Sequence, residues 1–144
     1  MSVQVGPLIN RKLLVARPDQ SLVELARQMI ERQVGSAVVM TDQGPSIITE
    51  RDLLRAVAAG ANLADSKVDE FMTSRAITVQ PTVDLRRAAE WMLDGNFRHL
   101  VVVGDHGEVE GVLSMRDLMA ALLRLSNLVG NQDPPPPDAM SGPA

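Results

Sequence analysis

Ser46-Ile47-Ile48-Thr49-Glu50-Arg51-Asp52-Leu53 and Gly111-Val112-Leu113-Ser114-Met115-Arg116-Asp117-Leu118 are one passage written twice, 65 residues apart. Each is a short apolar run that reaches a hydroxyl residue and then an arginine–aspartate pair, the pattern of a buried strand running into a helix start. Upstream the correspondence continues at an offset of 63, and Val5 to Gly44 lies over Val68 to Gly107 without a gap. Identical pairs recur along it, among them Val5/Val68, Pro18/Pro81, Leu22/Leu85, Met29/Met92 and Val38/Val101. The first copy lacks two residues just after Gly44. A duplicated unit of this size predicts a two-fold architecture with its sites at the seam. Two repeats of about 60 residues would each be marginal alone, so they are expected to share a core.

Composition narrows the function. Hydrophobic residues make up 45% of the 144-residue chain but aromatics only 2%, so the interior is built from Val, Leu, Ile, Ala and Met. That weighs against the stacking platforms of single-strand nucleic-acid binders. The net charge is −4 and the basic residues are scattered, which argues against DNA or RNA as partner. There is no cysteine, hence no disulfide, thiolate nucleophile or Cys-based metal site. The opening residues lack the basic start and apolar stretch of a signal peptide, and no apolar run approaches the ~20 residues of a membrane span. A soluble, cytoplasmic protein is expected.

Each copy reads β-α-β-β-α. In the first, a short segment from Val5 to Asn10 precedes a strand at Leu13–Ala16. Ser21 and Glu24 have the form of a capping box, and Leu22, Leu25, Ala26, Met29 and Ile30 follow at helical spacing. Gly35 suggests the helix end. Strands at 36–40 and 46–49 flank a turn, and a helix over 51–59 is closed by Gly60. After a linker at 61–67 the second copy repeats the order. Asp84 is the expected N-cap of its first helix, the strands lie at 77–79, 99–103 and 109–114, and the last helix spans about 116–129. The tail from 130 to 144, with prolines at 134–137, has little to bury and reads as disordered.

Val68-Asp69-Glu70-Phe71-Met72-Thr73, Ile77-Thr78-Val79-Gln80-Pro81, Phe97-Arg98-His99-Leu100-Val101-Val102-Val103 and Gly111 to Leu118, in this order and duplicated, resemble a tandem pair of cystathionine-β-synthase-type (CBS) domains, or Bateman module. The resemblance covers nearly everything from Val5 to Val129. It implies an α+β fold in which two β-α-β-β-α repeats (5–60 and 68–129) pack with pseudo-two-fold symmetry, sheets face to face. It also implies two clefts that commonly take AMP, ADP, ATP, S-adenosylmethionine or NAD(H), and a flat homodimer built through helices. The family's ribose motif, a hydroxyl residue followed three positions later by aspartate, occurs here as Thr49/Asp52 and Ser114/Asp117.

The spacing has its own chemistry. A hydroxyl residue at a helix mouth, with the unpaired amides of the first turn, suits a phosphate. A carboxylate beside it can accept from both ribose hydroxyls, and Arg51 and Arg116 add positive charge. The same spacing is also that of an ordinary helix cap, and the two roles can coexist. Copy two keeps a glycine, Gly111, where copy one has Ser46. Its close approach to a ligand, together with the missing residues of copy one, is expected to make the clefts differ in affinity. Arg98 and His99 are further candidates. Strand alternation turns them to opposite sides, so only one is expected to face a given cleft, and Arg98 is the better phosphate ligand. Val15, Thr78 and Val79 on the first strands complete the candidate nucleotide-binding set. The methionines read as core filling.

No HExxH, no phosphate loop and only two histidines are present, so no catalytic constellation is expected. No metal or required cofactor is implied. The sequence points to a stand-alone sensor that binds an adenosine-containing regulatory ligand and modulates an unidentified protein. The alternative is a ligand-free scaffold that dimerises and binds protein. The second helices support self-association in either case: Leu53, Leu54, Ala56, Val57 and Ala58, and Met119, Leu122, Leu123, Leu125 and Leu128, are more apolar residues than one core can take.

Overall fold

A computed structural model describes residues 3–73 and 76–127. Each repeat forms one three-stranded sheet. In the first, β1 (Val15–Ala16) runs parallel to β2 (Ser36–Thr41), which pairs antiparallel with β3 (Gly44–Thr49). Helix α1 (Leu22–Arg32) makes the crossover and α2 (Glu50–Ala58) follows β3. The short helix α3 (Val68–Phe71) opens the second repeat. There β4 (Thr78–Val79), β5 (His99–Val103) and β6 (Val109–Ser114) repeat the topology, with α4 (Leu85–Gly95) and α5 (Met115–Asn127) as helices. The proline-rich tail and Leu128 lie outside the described residues.

Local chemistry explains the ends. Ser21 Oγ accepts from the Glu24 amide and Asp84 Oδ1 from the Arg86 amide, each capping a first turn. The expected stop at Gly35 is instead made two residues earlier. Gln33 (φ 56°) and its counterpart Asn96 (φ 54°) take the left-handed conformation that closes α1 and α4. Gly35 serves a different need. A Cβ there would come within 2.5 Å of Glu50 Oε1, so its bare backbone makes room for that side chain.

Pleat alternation divides the apolar residues between two layers. Ala37, Val39 and Ile48 face α1 and α2, and Leu100, Val102 and Leu113 face α4 and α5. The opposite faces contribute Val38, Ile47, Val101 and Val112, which form one buried cluster between the sheets. These four are two equivalent pairs, so the sheets meet face to face about a pseudo-two-fold axis.

The repeats also exchange their leading segments. Val5 and Ile9 are buried in the core of the second repeat, while Val68 is buried in the core of the first with Phe71 and Met72 packed against it. The backbone bonds mirror one another. Val5 N–H donates to Val83 O and Gly6 N–H to Pro81 O, while Val68 N–H donates to Gln20 O and Asp69 N–H to Pro18 O. Asn10 then bridges to Val112, and Thr73 to Ile47.

This exchange reassigns Gly111. A Cβ at that position would lie 2.6 Å from the Asn10 carbonyl oxygen and 3.1 Å from Ile9 Cδ1. The glycine admits the chain's own exchanged segment, not a ligand. The two residues missing after Gly44 likewise fall at the hairpin tip. The opposite end of the same hairpin, where Ser36 pairs with Thr49, is about 16 Å away at strand rise. Copy two absorbs its extra length in the turn and in a register shift at Val102/Val103. The length difference is therefore not what distinguishes the clefts.

Gly111→Ala is expected to cost about 1–3 kcal/mol by overpacking against Asn10 and Ile9. Urea unfolding measures this loss, and an unchanged midpoint contradicts the packing role.

Candidate functional site

Each strand–helix junction faces the exchanged segment and the helix–strand connection of the other repeat, and two cavities result. One, of about 310 Å³, is lined by Asn10, Lys12, Leu13, Leu14 and residues 33–36 from the first repeat, and by His99, Val112, Ser114, Arg116 and Asp117 from the second. The other, of about 390 Å³, is lined by Ile47, Thr49, Glu50, Arg51, Asp52 and Arg55 from the first and by Thr73, Ala76, Ile77 and residues 96–99 from the second, with Gly35. Most of the lining positions are pseudo-two-fold mates, among them Asn10/Thr73, Ser114/Thr49, Arg116/Arg51 and Asp117/Asp52, and both volumes lie in the range of small-molecule sites.

Of the candidates read from sequence, Thr49, Arg51, Asp52, Arg98 and His99 meet in one cleft, and Ser114, Arg116, Asp117 and again His99 in the other. Val15, Thr78 and Val79 line neither. Val15 is exposed and Val79 belongs to the core, because the residues before each first strand (Leu13, Leu14, Ala76 and Ile77) are the ones that pass the cavities. Arg98 and His99 line the same cleft, contrary to the alternation argument. Arg98 precedes β5, so the pleat does not govern its direction. Lys12, Gln33, Ser36 and Arg55 went unrecognised in the sequence. Ser36 was accessible as the offset-63 mate of His99. Among the methionines, Met29 and Met92 are buried but Met119 is 58% exposed.

Both aspartates sit in a capping box with the hydroxyl residue three positions before them, and Asp52 has further partners. Asp117 Oδ2 accepts from the Ser114 amide at 2.9 Å, and Ser114 Oγ accepts from the Asp117 amide at 3.1 Å, a reciprocal capping box. Asp52 Oδ2 accepts from the Thr49 amide at 2.9 Å and from Thr49 Oγ1 at 3.2 Å, and its Oδ1 meets Arg55 Nη1 at 3.4 Å. Capping is thus real in both copies. Each arrangement sets a carboxylate, a hydroxyl and an arginine at a helix mouth, which chemically suits a ligand with vicinal hydroxyls and a phosphate.

His99 stands at the seam and lines both cavities. Burial pushes its pKa below the ordinary value near 6.5. The carboxylates Glu50, Asp117 and Asp52 oppose the shift, and the Arg98 guanidinium reinforces it. Its counterpart is Ser36, so the seam is not symmetric. His106, by contrast, sits exposed in the hairpin turn.

The CBS-domain family model matches residues 5–59 and 68–124. The chain belongs to the CBS-domain family. Tandem CBS pairs are regulatory modules. A curated relative from Acidianus ambivalens, an uncharacterized 17.7 kDa protein, is 35% identical over 125 residues, which is 85% of this chain and 75% of that one. The mitochondrial CBS domain-containing protein CBSX3 of Arabidopsis thaliana is 32% identical over 73% of this chain and 54% of its own length. Among solved structures, a CBS domain protein from Pyrobaculum aerophilum complexed with AMP superposes with a TM-score of 0.74 at 36% identity, covering 87% of this CBS pair and 99% of that chain. A CBS-domain containing protein from Agrobacterium tumefaciens gives 0.75 at 31% identity, covering 85% and 95%. Among the described residues no helix is long and apolar enough to cross a membrane, and no cluster of His, Cys, Asp and Glu fits a metal ion.

A histidine that binds its proton less readily when folded makes the unfolded chain the better proton binder. Its stabilising contribution is complete above about pH 6.5 and is lost as pH falls toward the depressed folded value. Denaturation from pH 7.5 to 5 is expected to show this loss, and His99→Gln to flatten it.

Proposed function

We propose that this CBS pair is a cytoplasmic, non-catalytic sensor, with repeats at 5–60 and 68–129 joined by 61–67. It takes an adenosine-containing ligand in the clefts at the seam and thereby modulates a separate protein. The observation that carries this reading is the Ser114–Arg116–Asp117 mouth in a cavity of about 310 Å³, where the aspartate retains acceptor capacity for ribose hydroxyls. The AMP bound by the 36% identical Pyrobaculum protein supports the ligand class. In this arrangement Asp117 and Asp52 hold ribose. Ser114 and Thr49, with the first-turn amides, Arg116, Arg51 and Arg98, face phosphate, and His99 borders both ligands.

A panel of AMP, ADP, ATP, S-adenosylmethionine and NADH in thermal shift is expected to raise the melting temperature with at least one member. At about 100 times Kd the stabilisation is roughly 2.7 kcal/mol. Asp117→Ala is expected to remove most of that shift and Asp52→Ala less. No shift with any member favours the ligand-free scaffold, and equal losses in the two variants contradict unequal clefts.

Self-association is part of the proposal. Leu54 and Val57 on α2 are 68% and 56% exposed, and their mates Met119 and Leu122 on α5 are 58% and 49% exposed. Ile30 and Leu93, equivalent residues of α1 and α4, are also exposed. Ala56, Leu118 and Ala121 are already spent on the core. The paired apolar faces fit a homodimer. Light scattering is expected to report a dimer, and Leu122→Asp with Val57→Asp a monomer.

A further inference from the structure

We propose that Arg55 is a latch on the Asp52 carboxylate, which makes the Asp52 cleft the weaker of two unequal ribose sites. The inference rests on the ribose reading above and adds a specificity-determining residue to it.

An ionised carboxylate offers about four acceptor positions. On Asp52, the Thr49 amide, Thr49 Oγ1 and Arg55 Nη1 take three. Two vicinal hydroxyls need two, so ribose can enter only by displacing one of these donors. On Asp117 the Ser114 amide takes one. The Ser114 hydroxyl accepts from the Asp117 amide, and among the described residues it makes no bond to the Asp117 carboxylate. Among the described residues no hydrogen bond reaches Asp117 Oδ1, so it is open to ribose.

Of the two donors that Asp52 has and Asp117 lacks, Thr49 Oγ1 and Arg55 Nη1, the arginine can be removed without touching the cap. Position 55 of the first repeat corresponds to Ala120 of the second, which has no group to offer. Arg55 reaches back from three residues along α2 to the Asp52 carboxylate, whose side chain is only 5% exposed, while Arg55's own is 66% exposed. An ion pair with one partner in solvent is weak. It can be opened by a ligand, at a cost to affinity. The geometry therefore describes a tuned site and not a closed one.

Calorimetric titration with AMP, and in parallel with adenosine, tests this on the full chain. Asp117→Ala isolates the Asp52 cleft. Adding Arg55→Ala in that background is expected to tighten both ligands about two- to fivefold, the range of one exposed ion pair. The reciprocal change, Ala120→Arg in an Asp52→Ala background, is expected to weaken the Asp117 cleft by a similar factor. Binding of AMP that is unchanged or weaker in the Arg55→Ala variant overturns the latch. A loss confined to AMP and spared for adenosine assigns Arg55 to phosphate instead, which also overturns it. Failure of every variant and the unmodified chain to bind either ligand overturns the ribose reading itself.

Discussion

The structure depends on the reciprocal exchange of two short segments. Residues 5–10 complete the second repeat and residues 68–73 complete the first, through mirrored backbone bonds at Val5, Gly6, Val68 and Asp69. Val5 and Val68 are fully buried in the other repeat's core. At roughly 1.5–3 kcal/mol for each buried apolar side chain of this kind, neither core can spare its borrowed residues. Each repeat therefore lacks a complete interior on its own. The cluster of Val38, Ile47, Val101 and Val112 between the sheets closes the pair.

The same exchange builds the clefts. The segment that leaves one repeat to fill the other passes across the other's strand–helix junction on its way. It lays Asn10 to Leu14 beside Asp117, and Thr73, Ala76 and Ile77 beside Asp52. Folding and site formation share one cause. The same topology in both repeats then leaves chemical individuality to side chains at equivalent positions. Gly35 stands opposite Arg98, Ser36 opposite His99, Glu50 opposite Met115 and Arg55 opposite Ala120. These four substitutions, and not the shortened hairpin, break the two-fold symmetry where a ligand would feel it.

Much of the fold was legible because it is written twice. An offset of 63 residues identifies equivalent elements without any knowledge of contacts, and continuous apolar runs such as 100–103 declare burial on both faces. The helix mouths were legible for the same reason, since hydroxyl and aspartate three residues apart mark a helix start whatever else they do. The parts that were misread depend on what lies across space. Gly111 invites a close approach in any reading, and only the packed segment reveals that Asn10 makes it. Arg98 seemed bound by strand alternation, but the strand begins one residue after it.

The sequence by itself determined the repeat, the element order, the division of apolar residues into layers and the two aspartates at equivalent mouths, because periodicity and capping are local properties of the chain. The tertiary structure alone decided which repeat each leading segment completes, which residues line a common cavity, and which aspartate keeps its acceptor positions open. Those outcomes rest on contacts between residues tens of positions apart and on side-chain directions a few residues apart, such as Arg55 turning back to Asp52. No local pattern encodes them.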